Sequence, residues 1–347
     1  MIELSKYTSY ALFRMPFADE VHVVCQHPGQ PSVSVDLEHM EEVSRAFVMI
    51  PFDEKSCPIV CVRPDVETVV KMEMLAEERV GCIGRGQSDV EAYTEAFSRF
   101  HAAVPSRFPK LVLSRSVCAE YGGNPLDAFV RACYAYPRTM VYLCYTEETG
   151  FWIGSTPEIL VAGSKSHYRT VALAGTMTQE GEWSEKNKTE QSIVADYVRK
   201  VITPLSRVVE EAGPYTSRAG NLYHLKTEFH FTPLPAVTVY DFIRQLHPTP
   251  AVCGLPKREA HAYIVANEGH DRQYYAGVVG MLDVHGETNL YVNLRCCKLQ
   301  KEGDGTYQCT LYAGGGILPE STVESELQET EEKLKTICLA LSPTYSN

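Results

Sequence analysis

An α+β fold built on antiparallel sheet is what the sequence predicts, and three observations predict it. Many short runs have β character: residues 21–25 (VHVVC), 47–52, 58–64, 110–117, 139–146, 276–284, 289–299 and 307–317. Helical stretches stand apart from these runs and do not alternate with them, which argues against a doubly wound parallel sheet. The last three runs are joined by Gly-containing turns, HGET and KEGDGT, and predict an antiparallel meander.

Three helices are legible in order. Residues 88–103 open with Ser88 and Asp89 as cap candidates. A longer helix is expected from about Lys186 to Ala212, with Ile193, Val194, Tyr197, Val198, Val201, Ile202, Leu205 and Val209 along one stripe. A final helix starts near Ser321, where Ser321 and Glu324 suit a capping box, and runs through Leu327, Leu334 and Leu341. Gly and Pro are spread evenly, and no linker, repeat or low-complexity segment divides the chain.

Composition excludes several function classes. The 347 residues are 44% apolar and 22% charged, enough for one large domain or about two ordinary ones. A net charge of −12 without long like-charge blocks argues against binding nucleic acid through phosphate neutralisation. No apolar stretch reaches the length of a spanning helix, and Glu3, Lys6 and Arg14 interrupt the N-terminal apolar residues, so neither membrane span nor secretory leader is expected. None of the twelve cysteines forms a CxxC pair, and Cys25, Cys133, Cys144 and Cys338 lie in apolar runs. Reduced thiols in the cytoplasm are the expectation, with no zinc or iron–sulfur centre.

Placing the helices brings out the charged positions that need an explanation. Glu190 shares the stripe of Ile193, Val194 and Tyr197, and a carboxylate on a buried side is uncommon without a partner. Glu326, Glu329 and Lys333 share a face of the last helix, next to its leucine stripe. That spacing is the ordinary mark of a solvated face with a Glu-to-Lys pair, yet two helices offering carboxylates could instead hold Mg²⁺. Gly81–Gly86 and Gly314–Gly316 fit neither a P-loop nor a dinucleotide fingerprint and read first as turns or bulges, although Gly314–Gly316 follow a strand and could turn N–H groups toward an anion.

Taken together, these segments resemble the chorismate-utilising enzymes, and within that family the isochorismate synthases. The resemblance runs from Phe108 to Leu341, about two-thirds of the chain, with the motifs in the family's order. FPKLVLSRS (108–116), GSTPEILV (154–161), ALAGT (172–176), KNKTEQSIVADYV (186–198) and HLKT (224–227) come first. LHPTPAVCGLPKREA (246–260), ExxDRxxYAGxVG (268–280), NLR (293–295), YAGGGI (312–317) and ESELQETEEKLKT (324–336) complete the set.

The resemblance implies a single chorismate-binding domain over residues 1–347, with two packed antiparallel sheets, helices outside and the site in a cleft. Residues 1–84 would be a divergent part of the same fold and 85–342 its catalytic core. It also implies roles. Lys110 would be the base that activates water, and Glu158 the acid that protonates the departing ring hydroxyl. Glu190, Glu326 and Glu329 would hold Mg²⁺ against the ring carboxylate. Arg295, Tyr275 and the Gly314, Gly315 and Gly316 amides would anchor the enolpyruvyl carboxylate, with Lys333 near the metal end. Gly175, Thr176, Ala251 and Leu294 would line the pocket; His224 would be either a substrate contact or a packed core histidine.

Within the family, Ala174 stands where aminodeoxychorismate synthases carry a nucleophilic lysine, which favours water as nucleophile. His247-Pro-Thr-Pro-Ala251 is the form seen in isochorismate synthases and not the anthranilate synthase block. Salicylate synthases, which go on to eliminate pyruvate, are the nearest rival; a non-catalytic chorismate-binding subunit is another. No coiled-coil heptads and no amidotransferase-docking signal can be read, so a monomer without an amidotransferase subunit is the expectation; the resemblance implies a product that feeds menaquinone or siderophore synthesis.

Overall fold

Short strands, many of them buried on both faces, build most of this molecule. The computed structural model describes residues 3–29, 32, 36–75, 81–84, 86, 89–220, 222–303 and 305–342. Its strands are β1 (Ser9–Arg14), β2 (Glu20–Gln26), β3 (Arg45–Ile50), β4 (Val60–Val62), β5 (Val66–Lys71), β6 (Cys82–Ile83), β7 (Lys110–Gly122), β8 (Met140–Thr146) and β9 (Gly150–Thr156). They continue as β10 (Ile159–Ser164), β11 (His167–Met177), β12 (Ser206–Ala219), β13 (Leu222–Pro233), β14 (Gly254–Leu255), β15 (Val278–Asp283), β16 (Thr288–Val292), β17 (Cys296–Lys301) and β18 (Tyr307–Ile317). The helices are α1 (Val90–Ala103), α2 (Pro125–Ala135), α3 (Glu185–Ile202), α4 (Val239–Leu246), α5 (Lys257–Asn267) and α6 (Val323–Leu341).

Among the described residues the strands form two antiparallel sheets. Ten strands lie in the order β14-β7-β18-β17-β9-β8-β1-β2-β5, with β6 also beside β7, and eight lie in the order β12-β13-β11-β10-β16-β15-β3-β4. Strand β1 shows how the layers pack: Ala11 and Phe13 join the larger core with Phe47, Tyr142 and Trp152, whereas Tyr10 and Leu12 join a second core with Phe129 and Ile337. The ten-stranded sheet is therefore buried on both faces, between the eight-stranded sheet and α2 with α6. The N-terminal strands are woven into both sheets, β1, β2 and β5 into one and β3 and β4 into the other. No helix among the described residues is long and apolar enough to cross a membrane.

Three expectations need correction. The long helix stops at Ile202; Pro204 lies in the 3₁₀ turn Thr203–Leu205, and Val209 belongs to β12. Proline has no N–H to continue the ladder, and the β-branched Val208-Val209 pair suits a strand. The expected meander is split: β15 and β16 pair in the eight-stranded sheet, but β17 and β18 pair in the other, because the chain changes sheets at residues 293–295. The cap of α6 is Thr322 with Ser325, not Ser321 with Glu324. Ser321 Oγ instead accepts the Leu318 N–H at 3.1 Å. In α1, Asp89 is the cap, accepting from Ala92 N–H at 2.8 Å, and Ser88 lies outside the described residues. Of the Gly81–Gly86 run, Cys82–Ile83 form β6 against the end of β7; Arg85 lies outside the described residues. All twelve cysteines are free thiols.

Candidate active site

Two places where the chain passes from one sheet to the other create the site. Residues 157–158 link β9 to β10, and residues 293–295 link β16 to β17. The two crossovers are hydrogen-bonded to each other: Val292 N–H donates to the Glu158 carbonyl at 2.8 Å, and Ser155 N–H donates to the Arg295 carbonyl at 3.2 Å. Glu158 and Arg295, distant in sequence, thus project into one cleft. Arg295 takes φ +48°, a left-handed backbone that a long side chain adopts only at a cost of about 1–3 kcal/mol and that the paired crossovers enforce.

Glu158 is buried, and Thr249 Oγ1 donates to its Oε1 at 3.3 Å. Burial pushes its carboxyl up to about 7, against the opposing effects of Thr249, Lys110, Arg295 and Lys333. Lys110, the first residue of β7, is fully buried with its Nζ 3.0 Å from Glu190 Oε1. Glu190 comes from the first turns of α3, which Ser184 caps by accepting the Asn187 N–H.

Glycines make room for these groups. A Cβ at Gly316 would lie 2.1 Å from Glu190 Oε1 and 3.1 Å from Lys110 Cε, and one at Gly315 would lie 2.5 Å from Glu326 Oε2. The Gly314–Gly316 run is in register with Val112–Ser114 of β7, so it is strand, not turn or bulge. Lys333 Nζ donates to the Gly314 carbonyl and to Glu329 Oε1, both at 2.7 Å.

The opposite wall holds Arg295. Its Nη2 donates to His224 Nε2 at 2.8 Å, which leaves Nδ1 as the protonated nitrogen that donates to the Gly175 carbonyl at 2.8 Å. Burial and the Arg295 charge push the His224 imidazole down to about 3, so it is a neutral acceptor. Tyr275 stacks on Tyr312 at 5.5 Å between centroids and 10° between planes. Left-handed Gln273 and Ala276 flank it, and Ala276 N–H donates to the Asn293 carbonyl at 2.8 Å.

The cleft is lined by fourteen of the residues singled out in the sequence: Glu158, Gly175, Thr176, Glu190, His224, Ala251, Tyr275, Leu294, Arg295, Gly314, Gly315, Gly316, Glu329 and Lys333. Lys110 and Glu326 sit directly behind the Gly316 and Gly315 backbone. Residues the sequence reading did not single out also contribute. Thr249 touches Glu158; Val112, Leu173, Val252 and Tyr312 supply apolar wall. Lys186 ion-pairs with Glu326 at 2.5 Å. Its place four residues before Glu190, one helical turn, was the available signal for Lys186.

The carboxylates offer hard oxygens of the kind Mg²⁺ takes. Glu326 is completely buried, and its Oε2 has no hydrogen-bond partner among the described residues. Burial and Glu329 push its carboxyl up while Lys186 opposes them. Burial also works to raise Glu329, but Lys333 and Lys186 hold it below its ordinary value. Each of the three carboxylates faces a lysine, Glu190 with Lys110, Glu326 with Lys186 and Glu329 with Lys333. Among the described residues no three His, Cys, Asp or Glu side chains are gathered tightly enough to close around an ion. The three carboxylates are thus of the oxygen-donor type that Mg²⁺ takes, but each is held by a lysine and they are not drawn together around one point.

The chain as a whole is similar to known proteins. A chorismate binding enzyme family model matches residues 73–342. The vibriobactin-specific isochorismate synthase of Vibrio cholerae is 29% identical over 276 residues, 74% of this chain and 67% of that protein. The salicylate biosynthesis isochorismate synthase of Pseudomonas aeruginosa is 31% identical over 250 residues, 68% of this chain and 51% of that protein. The solved structure of MenF, the menaquinone-specific isochorismate synthase of Escherichia coli, superposes with a TM-score of 0.79 at 20% identity, covering 97% of this chain and 91% of that one. The chain belongs to the family of chorismate-binding enzymes.

Proposed function

We propose that this chain is an isochorismate synthase, interconverting chorismate and isochorismate by water addition and loss of the ring hydroxyl. The observation that carries this reading is a buried Glu158 lining a cleft whose wall at position 174 is an alanine, with Lys110 directly behind the Gly316 backbone of the same cleft. Without a nucleophilic side chain there, the incoming group must be small and exogenous.

In this reading Lys110 reacts as the neutral amine, the proton of its ion pair with Glu190 having first left to solvent; its Nζ then accepts a proton from water, and the water oxygen bonds to the ring carbon beside the carboxylate-bearing carbon. Glu158 gives its proton to the hydroxyl that leaves, so the double bonds shift and the proton count balances. A carboxyl pushed up to about 7 is still substantially protonated near neutrality, as a general acid requires. Arg295, held by His224, offers a planar fork to the enolpyruvyl carboxylate. Glu190, Glu326 and Glu329 would hold Mg²⁺, whose chemistry there is to neutralise the ring carboxylate. Tyr275 and the Gly314–Gly316 backbone complete the pocket. The free thiols support a reducing, cytoplasmic setting, and a monomer without an amidotransferase subunit is part of the same proposal. So is a single domain spanning residues 1–347.

Proton NMR of chorismate with the purified protein and Mg²⁺, without ammonia, tests this. A stable mixture of chorismate and isochorismate is the expected result. Salicylate with pyruvate would move the chain to the salicylate synthases, and turnover only with ammonia or a glutaminase would overturn the water mechanism.

A further inference from the structure

Behind the cleft, a buried ion pair stands where a strand would otherwise continue. Strand β14 covers the edge of β7 for only two residues, opposite Lys110 and Leu111. Beyond it, the Val112 carbonyl and the Ser114 N–H would face the interior unpaired, which is expensive for buried backbone. Arg272 Nη2 donates to the Val112 carbonyl at 2.9 Å, and Glu268 Oε1 accepts the Ser114 N–H at 2.6 Å. The two side chains grip each other twice, both at 2.6 Å, one turn apart, and are almost wholly buried.

The same guanidinium reaches a second backbone. Arg272 Nη1 donates to the Val252 carbonyl at 2.6 Å, and its plane lies 4.2 Å over the Phe52 ring. Val252 belongs to the segment that presents Thr249 to Glu158, and Cys253 in that segment accepts the Val112 N–H at 2.7 Å. A third segment is its own: the Arg272 carbonyl accepts the Tyr275 N–H at 2.9 Å. One side-chain pair therefore joins the strand that starts at Lys110, the loop that holds Glu158 and the turn that bears Tyr275. Neither residue lines the cleft.

We propose that Glu268 and Arg272 are positioning residues that set the relative placement of Lys110, Glu158 and Tyr275 by acting as a side-chain replacement for the missing edge strand. This rests on the isochorismate synthase reading. A lysine at 272 keeps the charge but cannot serve Glu268, Val112 and Val252 together, because it lacks the planar fork. Misplacement of catalytic groups by about 1 Å costs roughly 10²-fold in rate.

The experiment compares wild type, Arg272→Lys and Glu268→Gln in chorismate turnover with Mg²⁺, across pH, with thermal melting as the check on folding. Arg272→Lys is expected to lower kcat by roughly 10²-fold with KM changed less than about threefold. Its alkaline limb should also move to higher pH, because a displaced Thr249 no longer favours the charged form of Glu158. Glu268→Gln, whose amide oxygen still accepts from Ser114, should fold and fall roughly tenfold in kcat in the same direction. If Arg272→Lys does not fold, Glu268→Gln decides alone. A folded variant with wild-type kcat and an unmoved alkaline limb overturns the positioning role. A wild type that leaves chorismate untouched overturns the functional reading instead.

Discussion

His224 accepts a hydrogen bond from Arg295 at 2.8 Å while donating from its other nitrogen to the Gly175 carbonyl. The arginine can only donate, so the contact requires neutral imidazole, and burial with the nearby guanidinium enforces that state. A histidine that sequence alone left between core packing and substrate contact thus acts as a bracket for the proposed carboxylate anchor.

His224→Ala should therefore act through Arg295. The expected outcome is a rise in KM for chorismate of roughly tenfold or more with a smaller change in kcat, since the lost interaction would hold the ground state and transition state alike. Steady-state kinetics of the folded variant would settle it; an unchanged KM would detach His224 from the substrate pocket.

The same residue shapes acid stability. His224 and His247 are both pushed down to about 3 by burial, below an unfolded value near 6.5. Below about pH 6.5 the unfolded chain takes up protons that the folded one refuses, so their contribution is complete above that pH and is lost between 6.5 and about 3. In that window each histidine costs about 1.4 kcal/mol per pH unit. Urea unfolding of wild type and His247→Gln from pH 7 to 4 should show a shallower slope for the variant.

Glu158→Gln should lower kcat by roughly 10²- to 10⁴-fold while the protein stays folded, as expected for loss of a general acid. In wild type, kcat should fall as pH rises through about 7, because the proposed acid must carry its proton. Thr249→Val removes a hydrogen bond that favours the carboxylate, so it should move that limb to higher pH. A pH–rate series on the three proteins tests both statements.

Gly316→Ala probes the crowding beneath the cleft. The new methyl carbon would stand 2.1 Å from Glu190 Oε1, so the carboxylate must swing away from Lys110. Turnover should be lost, with a stability change of about 1–3 kcal/mol from overpacking. Activity within a few-fold of wild type would show that the Lys110–Glu190 contact is dispensable.

Glu329→Gln removes one charge from the three-carboxylate set. Titration calorimetry should show Mg²⁺ and chorismate binding weakened together, and chelation of Mg²⁺ should abolish turnover in the wild type. Unchanged Mg²⁺ affinity would remove Glu329 from the proposed metal site.

Local sequence determined a good deal here. Short apolar runs of β character specify β2, β3, β7, β8, β15 and β18, and Asp89 and the leucine stripe specify α1 and α6. The ordered motifs, with Ala174, carry the proposed chemistry, because they are the residue types that water activation and carboxylate binding demand. Tertiary structure decided the rest. Periodicity cannot show that a single β run from Asn289 to Leu299 breaks at Arg295 and feeds two different sheets, since both halves are apolar and only the packing partner differs. Nor can it show whether Glu190, Glu326 and Glu329 face solvent or one another, because a helical carboxylate obeys the same spacing in either case. What buries them is the approach of two helices to a glycine strand, where missing side chains admit three carboxylates and their lysines. Local preference acts over a few residues, whereas charge pairing in a buried cleft depends on segments that meet only once both sheets have closed.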